Sequence, residues 1–291
     1  SKIEANEYKD YILGFIFYKF LSDKEIEYLK KNDWEDNDLP ELTEEDSETV
    51  NMCKKNIGYF IEYKNLFSTW LSMGKSFDVS NVTDALSAFS RLIGDEYHKV
   101  FDKVFDTLQT GLSKLGDTSS SRTKAISDLL QLIKDIPMDE KQGYDVLGFI
   151  YEYLISNFAA NAGKKAGEFY TPHEVSLLMS EIVANHLKNK NEIKIYDPTS
   201  GSGSLLINIG HSAAKFMDSE RIQYYAQELK ENTYNLTRMN LVMRGIKPAN
   251  IITRNADTLE DDWPVDLDQY PPVLRVDAVA VSYTHLRAHE T

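Results

Sequence analysis

The stretch DPTSGSGSLL, Asp197 to Leu206, holds the residue types and spacing most able to do chemistry. Gly201 and Gly203 let the backbone turn tightly and come close to a ligand, and the turn opens a helix-period segment whose amino end favours negative charge. Asp197 stands just before the turn, and a second acid, Glu228, closes the next apolar run, IQYYAQE. A fixed carboxylate accepts hydrogen bonds from both hydroxyls of a ribose. An acid before the turn and another closing the following strand suit a cofactor with an amino-acid end and a ribose. The glycine turn alone would also serve a dinucleotide, as in a nicotinamide oxidoreductase. Leu206 stands where that fingerprint has its third glycine, and the acid precedes the turn.

Other chemistries find less support. Gly74-Lys75-Ser76 ends like a phosphate-binding loop, but Thr69 occupies the place of the leading glycine. His173-Glu174 begins like a zinc-protease pair, but the second histidine position is Leu177, so no metal is expected. Cys53, the single cysteine, lies outside these segments; it can form no internal disulfide and fits a reducing compartment.

Positioning these groups requires strands alternating with helices, and the pattern after Ala160 provides them. Strands are predicted over 193–198, 222–228, 250–257 and 276–281, with helices over 200–217 and 231–245 between them. That order predicts a parallel sheet with its ligand at the carboxyl ends of the strands. The fold class expected is α/β, with a helical amino-terminal domain over 1–138 and an α/β domain over 139–280. In the first, Tyr8, Tyr11, Ile12, Phe15, Ile16 and Phe20 predict a helix with one wide apolar face. Residues 33–48 read as a solvated acidic connection with room for a short helix, and more weakly as a docking tail; 116–123 read as a polar loop and 136–143 as the seam. AISDLLQLIKDI and YDVLGFIYEYLISNFA, either side of the seam, read as helices. Gly163 to Gly167, GKKAG, reads equally as a compact basic hinge and as a merely flexible loop.

The 42% hydrophobic content is that of a chain with a real core. A net charge of −14 argues against broad adhesion to nucleic acid, so on DNA a partner or a local basic patch must supply the grip. Ile12 to Leu21 is too short to span a bilayer and is interrupted by Lys19; with no signal-peptide pattern ahead of it, a soluble cytoplasmic protein is expected.

Four segments taken in order, GEFYTPHEV (167–175), DPTSGSGSLL, AQELKENTYNLTRMNLVMRGI (226–246) and NADTL (255–259), resemble the modification subunit of type I restriction-modification systems. That family is an S-adenosylmethionine-dependent DNA adenine-N6 methyltransferase, and EYKDYILGFIFYKFLSD resembles its first helix. The resemblance implies a Rossmann-like methyltransferase domain, truncated here, with S-adenosyl-L-methionine as cofactor. It implies that Glu168, Phe169, Tyr170, Thr171, Pro172 and His173 hold the methionine end. Asp197 and the turn Gly201, Ser202, Gly203, Ser204 would lie against the amino-acid and sugar parts, Glu228 on the ribose, and Asp257 near the adenine amino group. Ser200, often Cys or Ala in relatives, departs from the pattern and leaves the turn intact. Thr171 and Pro172 also read as an ordinary helix start, threonine capping and proline in the first turn. The implied partners are DNA, the specificity subunit, a second methylase subunit and the restriction subunit, with no membrane. Transfer to adenine needs no covalent intermediate, since a positioned amine attacks directly.

In that family the strand after NADTL runs into Asn-Pro-Pro-aromatic, which holds a base flipped out of the duplex. Here VDAVAV runs into VSYTHLRAHET, the reading of one frame of a transposase sequencing adaptor. The expectation is a truncated reading frame with a non-native tail over 281–291, no catalytic residue within the chain, and no methyl transfer by it. A non-catalytic, S-adenosylmethionine-binding assembly subunit is the alternative.

Overall fold

The computed structural model describes residues 5–138, 150, 153, 171–261, 263–266, 268 and 274–281. The chain divides into two compact units, Ser1–Gly143 and Tyr144–Thr291.

The first unit is helical, built around α1 (Ala5–Lys30). Leu13 to Ser22 are buried without a break, so the middle of α1 is enclosed on all sides rather than along the single face that its spacing predicts. Six shorter helices surround it: α2 (Ser47–Asn56), α3 (Phe67–Met73), α4 (Val79–Arg91), α5 (His98–Phe101), α6 (Asp106–Gly111) and α7 (Ser119–Ile133). Aromatic rings fill the space between them. Tyr18 stacks on Trp70 with centroids 4.7 Å apart, and Phe89 meets Phe105 edge-on at 5.1 Å; such pairs add about 1 kcal/mol each beyond area burial. The polar groups of α1 tie down the chain after α2. The Tyr18 hydroxyl donates to the Asn65 carbonyl (2.9 Å), and Ser22 Oγ accepts from the Phe67 N–H (2.9 Å). The buried Glu25 carboxyl accepts from the Ile61 N–H.

Two sequence expectations change here. The acidic connection is not wholly solvated: Leu39 and Leu42 are buried, Asp46 caps α2, and Glu44 pairs with Arg91. The polar loop over 116–123 ends early, because Ser119 already begins α7. Thr118 caps that helix in a reciprocal box with Ser121, which offsets the weak helix propensity of three serines.

Among the described residues the second unit carries a four-stranded sheet in the order β3-β2-β1-β4, every pair parallel: β1 (Ile193–Asp197), β2 (Ile222–Glu228), β3 (Ile251–Asn255) and β4 (Ala278–Val279). Parallel neighbours require crossovers, and α9 (Ser204–Ala213) and α10 (Glu231–Met243) supply those from β1 to β2 and from β2 to β3. The α9 helix lies close on β2: a Cβ at Gly210 would stand 2.1 Å from the Tyr224 hydroxyl. Strand β4 is shorter than its apolar run predicts. Its ladder pairs only Ile195 and Tyr196, extended by bonds from Asp277 N to Lys194 O (2.8 Å) and Ala280 N to Tyr196 O (2.9 Å).

Before the sheet, α8 (His173–Leu187) packs on α9 through small residues, Ser176, Ser180 and Ala184. Asn208 Nδ2 donates to Ser176 Oγ (2.8 Å), and Ser212 Oγ donates to Glu181 (2.9 Å). The contacts advance together along both helices, so these run parallel and share an amino end. The start of α8 is displaced by one residue from the sequence reading. Pro172 is itself the cap residue and its carbonyl accepts the Ser176 N–H, while no Thr171 side-chain bond caps the helix. The second predicted helix beside the seam and the hinge at 163–167 fall outside the described residues, apart from Ile150 and Tyr153, both helical. Among the described residues no helix is long and apolar enough to cross a membrane.

Candidate functional site

The order of strands turns back beside β1: β2 and β3 lie to one side and β4 to the other. Open α/β sheets hold their ligands at the carboxyl ends of strands where the order reverses. Asp197 is the last residue of β1 and Glu228 the last of β2. Because Asp197 pairs with Ala226, β2 runs on past β1 and its terminal carboxylate faces the turn that leaves β1.

That turn is built from backbone conformations that glycine alone adopts cheaply, φ +57° at Gly201 and +79° at Gly203. The Gly203 N–H closes it on the Ser200 carbonyl (2.7 Å), and the Ser200 N–H bonds the Gln227 carbonyl (3.0 Å), fastening the turn to β2. Glu228 is fixed by two backbone donors. Oε2 accepts the Gly201 N–H (3.0 Å) and Oε1 the Lys230 N–H (3.0 Å). A carboxylate oxygen accepts at two sites, so each oxygen keeps one for a ligand hydroxyl.

Asp197 is only 3% exposed. Burial pushes its carboxyl up to about 7, opposed by the Thr199 N–H, which donates to Oδ1 at 2.9 Å, and assisted by the negative charge of Glu228. Two acids this close, one buried and one half-exposed, favour a ligand that brings positive charge or hydrogen-bond donors. At the end of β3, Asn255 Nδ2 donates to the Glu228 and Leu229 carbonyls (2.8 and 2.9 Å), and beyond it Thr258 Oγ1 donates to the Pro198 carbonyl. The loop with Asp257 is thereby drawn against the segment after Asp197. The Asp257 carboxylate accepts the Leu259 N–H (2.9 Å), capping its own turn.

The structure brings Asp197, Gly201, Ser202, Gly203, Ser204, Glu228 and Asp257 to one edge of the sheet. Thr171, Pro172 and His173 open α8, whose amino end lies at the same end as that of α9 and so at the side of the glycine turn. Glu168, Phe169 and Tyr170 lie outside the described residues. Sequence reading missed Thr237 and Asn240 of α10, which reach the turn from behind. Their signal is a polar stripe, Thr233, Thr237 and Asn240, at helical spacing. Among the described residues no group of three or more His, Cys, Asp or Glu is arranged to hold a metal ion.

Two family models match the chain: the N-6 DNA Methylase model over residues 142–279 and the HsdM N-terminal domain model over residues 1–133. The type I restriction enzyme MpnII methylase subunit of Mycoplasma pneumoniae is 34% identical, over 88% of this chain and 50% of that protein. The MjaVIII methylase subunit of Methanocaldococcus jannaschii is 30% identical, over 81% of this chain and 37% of that protein. The crystal structure of the type I restriction-modification methyltransferase subunit from Streptococcus thermophilus superposes with a TM-score of 0.78 at 31% identity, over 97% of this chain and 59% of that one. The chain thus spans about half the length of the curated relatives it matches. With both halves of the chain matched in order, and with the strand order and glycine turn described above, the chain belongs to the HsdM-type methylase subunit family of type I restriction-modification systems.

Proposed function

We propose that this chain is the S-adenosylmethionine-binding part of a site-specific DNA adenine-N6 methyltransferase subunit. The observation that carries the reading is Glu228, held by one N–H on each oxygen beside a buried acid and an open glycine turn. The residues present fit the cofactor: a Cβ at Gly201 would meet only the Thr199 carbonyl, at 3.9 Å, so the turn is open where a ligand would lie. Glu228 would take the ribose hydroxyls, Asp197 and the Gly201–Ser204 turn the amino-acid and sugar parts, and Asp257 the adenine amino group. The shared amino end of α8 and α9 supports placing Thr171, Pro172 and His173 around the methionine end, and the family resemblance adds Glu168, Phe169 and Tyr170 to them.

When bound, the cofactor supplies a sulfonium methyl group for transfer to an amine. The task of these residues is orientation, which accounts for much of the rate of such a reaction. Cys53, buried in the helical unit, takes no part. No residue here is assigned to the target adenine, and the chain by itself is expected to transfer no methyl group. Its helical domain, 1–138, would contact the specificity subunit or a second methylase subunit, or close over DNA, in a cytoplasmic complex that also takes the restriction subunit. The methyltransferase domain would take up 139–280, and 281–291 would be a non-native tail.

Calorimetric titration of the chain with S-adenosylmethionine tests the reading. Glu228→Ala should weaken binding by about 1 to 3 kcal/mol, the scale of hydrogen bonds to a charged group. Affinity unchanged in that variant would remove Glu228 from the site. Tritiated-methyl transfer to DNA by the chain as it stands would overturn the expectation of inactivity.

A further inference from the structure

The α10 helix buries polar residues where a helix against a sheet usually buries aliphatic ones. Thr237 and Asn240 are both 0% exposed, with Thr233 and Asn235 buried beside them. A buried hydroxyl or amide costs free energy unless it is hydrogen-bonded, so the bonds these two make show what they serve. Thr237 Oγ1 lies 2.7 Å from the Gly201 carbonyl and 3.3 Å from the carbonyl of Thr233, one turn back in its own helix. Back-bonding within the helix is the ordinary habit of a threonine there. The shorter contact to the turn gives the proton to Gly201 instead. Ser200 Oγ, 3.0 Å from Thr237 Oγ1, then donates in its turn, making a relay from Ser200 through Thr237 to the Gly201 carbonyl. Asn240 Nδ2 donates to the Ser202 carbonyl at 3.0 Å. Thr237 also limits the space at Gly203, where a Cβ would stand 3.3 Å from its Cγ2.

Two successive carbonyls of the turn are thus held from behind, on the side of α10. Glu228 takes the Gly201 N–H from the side of β2. We infer that Thr237 and Asn240 are positioning residues of the glycine turn, which fix its carbonyls and so hold it in the open form that receives the cofactor. This rests on the cofactor reading above, but the positioning itself is a property of the ligand-free chain.

The test compares Thr237→Val, Thr237→Ser and Asn240→Leu with the parent chain. Amide deuterium exchange over residues 200–204 is followed without ligand, and affinity for S-adenosylhomocysteine is measured by calorimetry. Val keeps the shape of threonine and removes the hydroxyl; Ser keeps the hydroxyl. Exchange in 200–204 should rise about tenfold in Thr237→Val and Asn240→Leu, the scale of one lost hydrogen bond, with β1 and β2 unchanged. Affinity should fall by about the same factor, and Thr237→Ser should match the parent in both. Thr237→Val behaving as Thr237→Ser would overturn the inference. So would exchange rising across β1, β2 and β3 alike, since that describes general packing. If the parent chain binds no S-adenosylhomocysteine, the cofactor reading fails while exchange still decides the positioning.

Discussion

Glu25 in the helical unit and Asp197 in the sheet unit are both buried carboxyls, and burial pushes both above the ordinary range. They differ in what meets their oxygens. Both oxygens of Glu25 face the Ile61 N–H, at 3.1 and 2.9 Å, and the Cys53 thiol bonds the same group, so its hydrogen bonding is spent inside the fold. Asp197 bonds Thr199 through Oδ1 and stands at the open end of a strand with a second acid beside it. Burial of an acid therefore does not by itself mark a functional site. What sets Asp197 apart from Glu25 is its place, at the carboxyl end of β1 with the glycine turn and Glu228 beside it.

The largest effect that would test this contrast comes from Glu25→Ala. It leaves a buried N–H unpaired and opens a cavity, and should cost roughly 3 to 5 kcal/mol in denaturant unfolding with cofactor affinity unchanged. Lost affinity with intact stability would reverse the two assignments.

Asp197→Asn separates the two acids by pH. With its folded value at about 7 against an ordinary 3.8, the folded chain keeps a proton that the unfolded chain releases. This contribution to stability is full below about pH 4 and is lost as pH rises through about 7. Thermal melts across that window should show the parent losing stability and the Asn variant losing less. Equal slopes would mean that Asp197 is not held protonated by burial.

The smallest effect is expected at the surface. Arg91 and Glu44 form a two-bonded pair at 2.6 and 2.9 Å with side chains 61% and 29% exposed. Arg91→Ala should change unfolding free energy by less than about 1 kcal/mol, because water and salt screen such pairs. A larger loss would show that the acidic connection is anchored through charge rather than through buried Leu39 and Leu42.

Much of the sheet unit was legible in advance. The run IQYYAQE is β2 to the residue, and IKIYDP is β1 with its proline left out, because short apolar runs closed by an acid and a turn admit few other readings. The third strand was overestimated at both ends, and the fourth kept only two of its six residues, since an apolar run says nothing about how long its neighbour is. The loop assigned to 116–123 failed for a local reason, a Thr118–Ser121 capping box hidden in a serine-rich segment.

What the sequence determined by itself is whatever depends on neighbours along the chain: the glycines that permit positive φ, the acids closing β1 and β2, the periods of strand and helix, and the family to which their order points. Only the tertiary structure decided which polar groups are buried and whom they meet. Along the chain Thr233, Thr237 and Asn240 are no more than polar residues at helical spacing. Thr237 and Asn240 instead bond the Gly201 and Ser202 carbonyls, because α10 packs against a turn that lies 36 residues before Thr237. The same is true of the upward shift of the Asp197 carboxyl, which comes from desolvation and from Glu228 across the sheet edge. Hydrogen bonds and solvent exclusion act through space, and local pattern carries no record of them until the crossovers have brought the strands together.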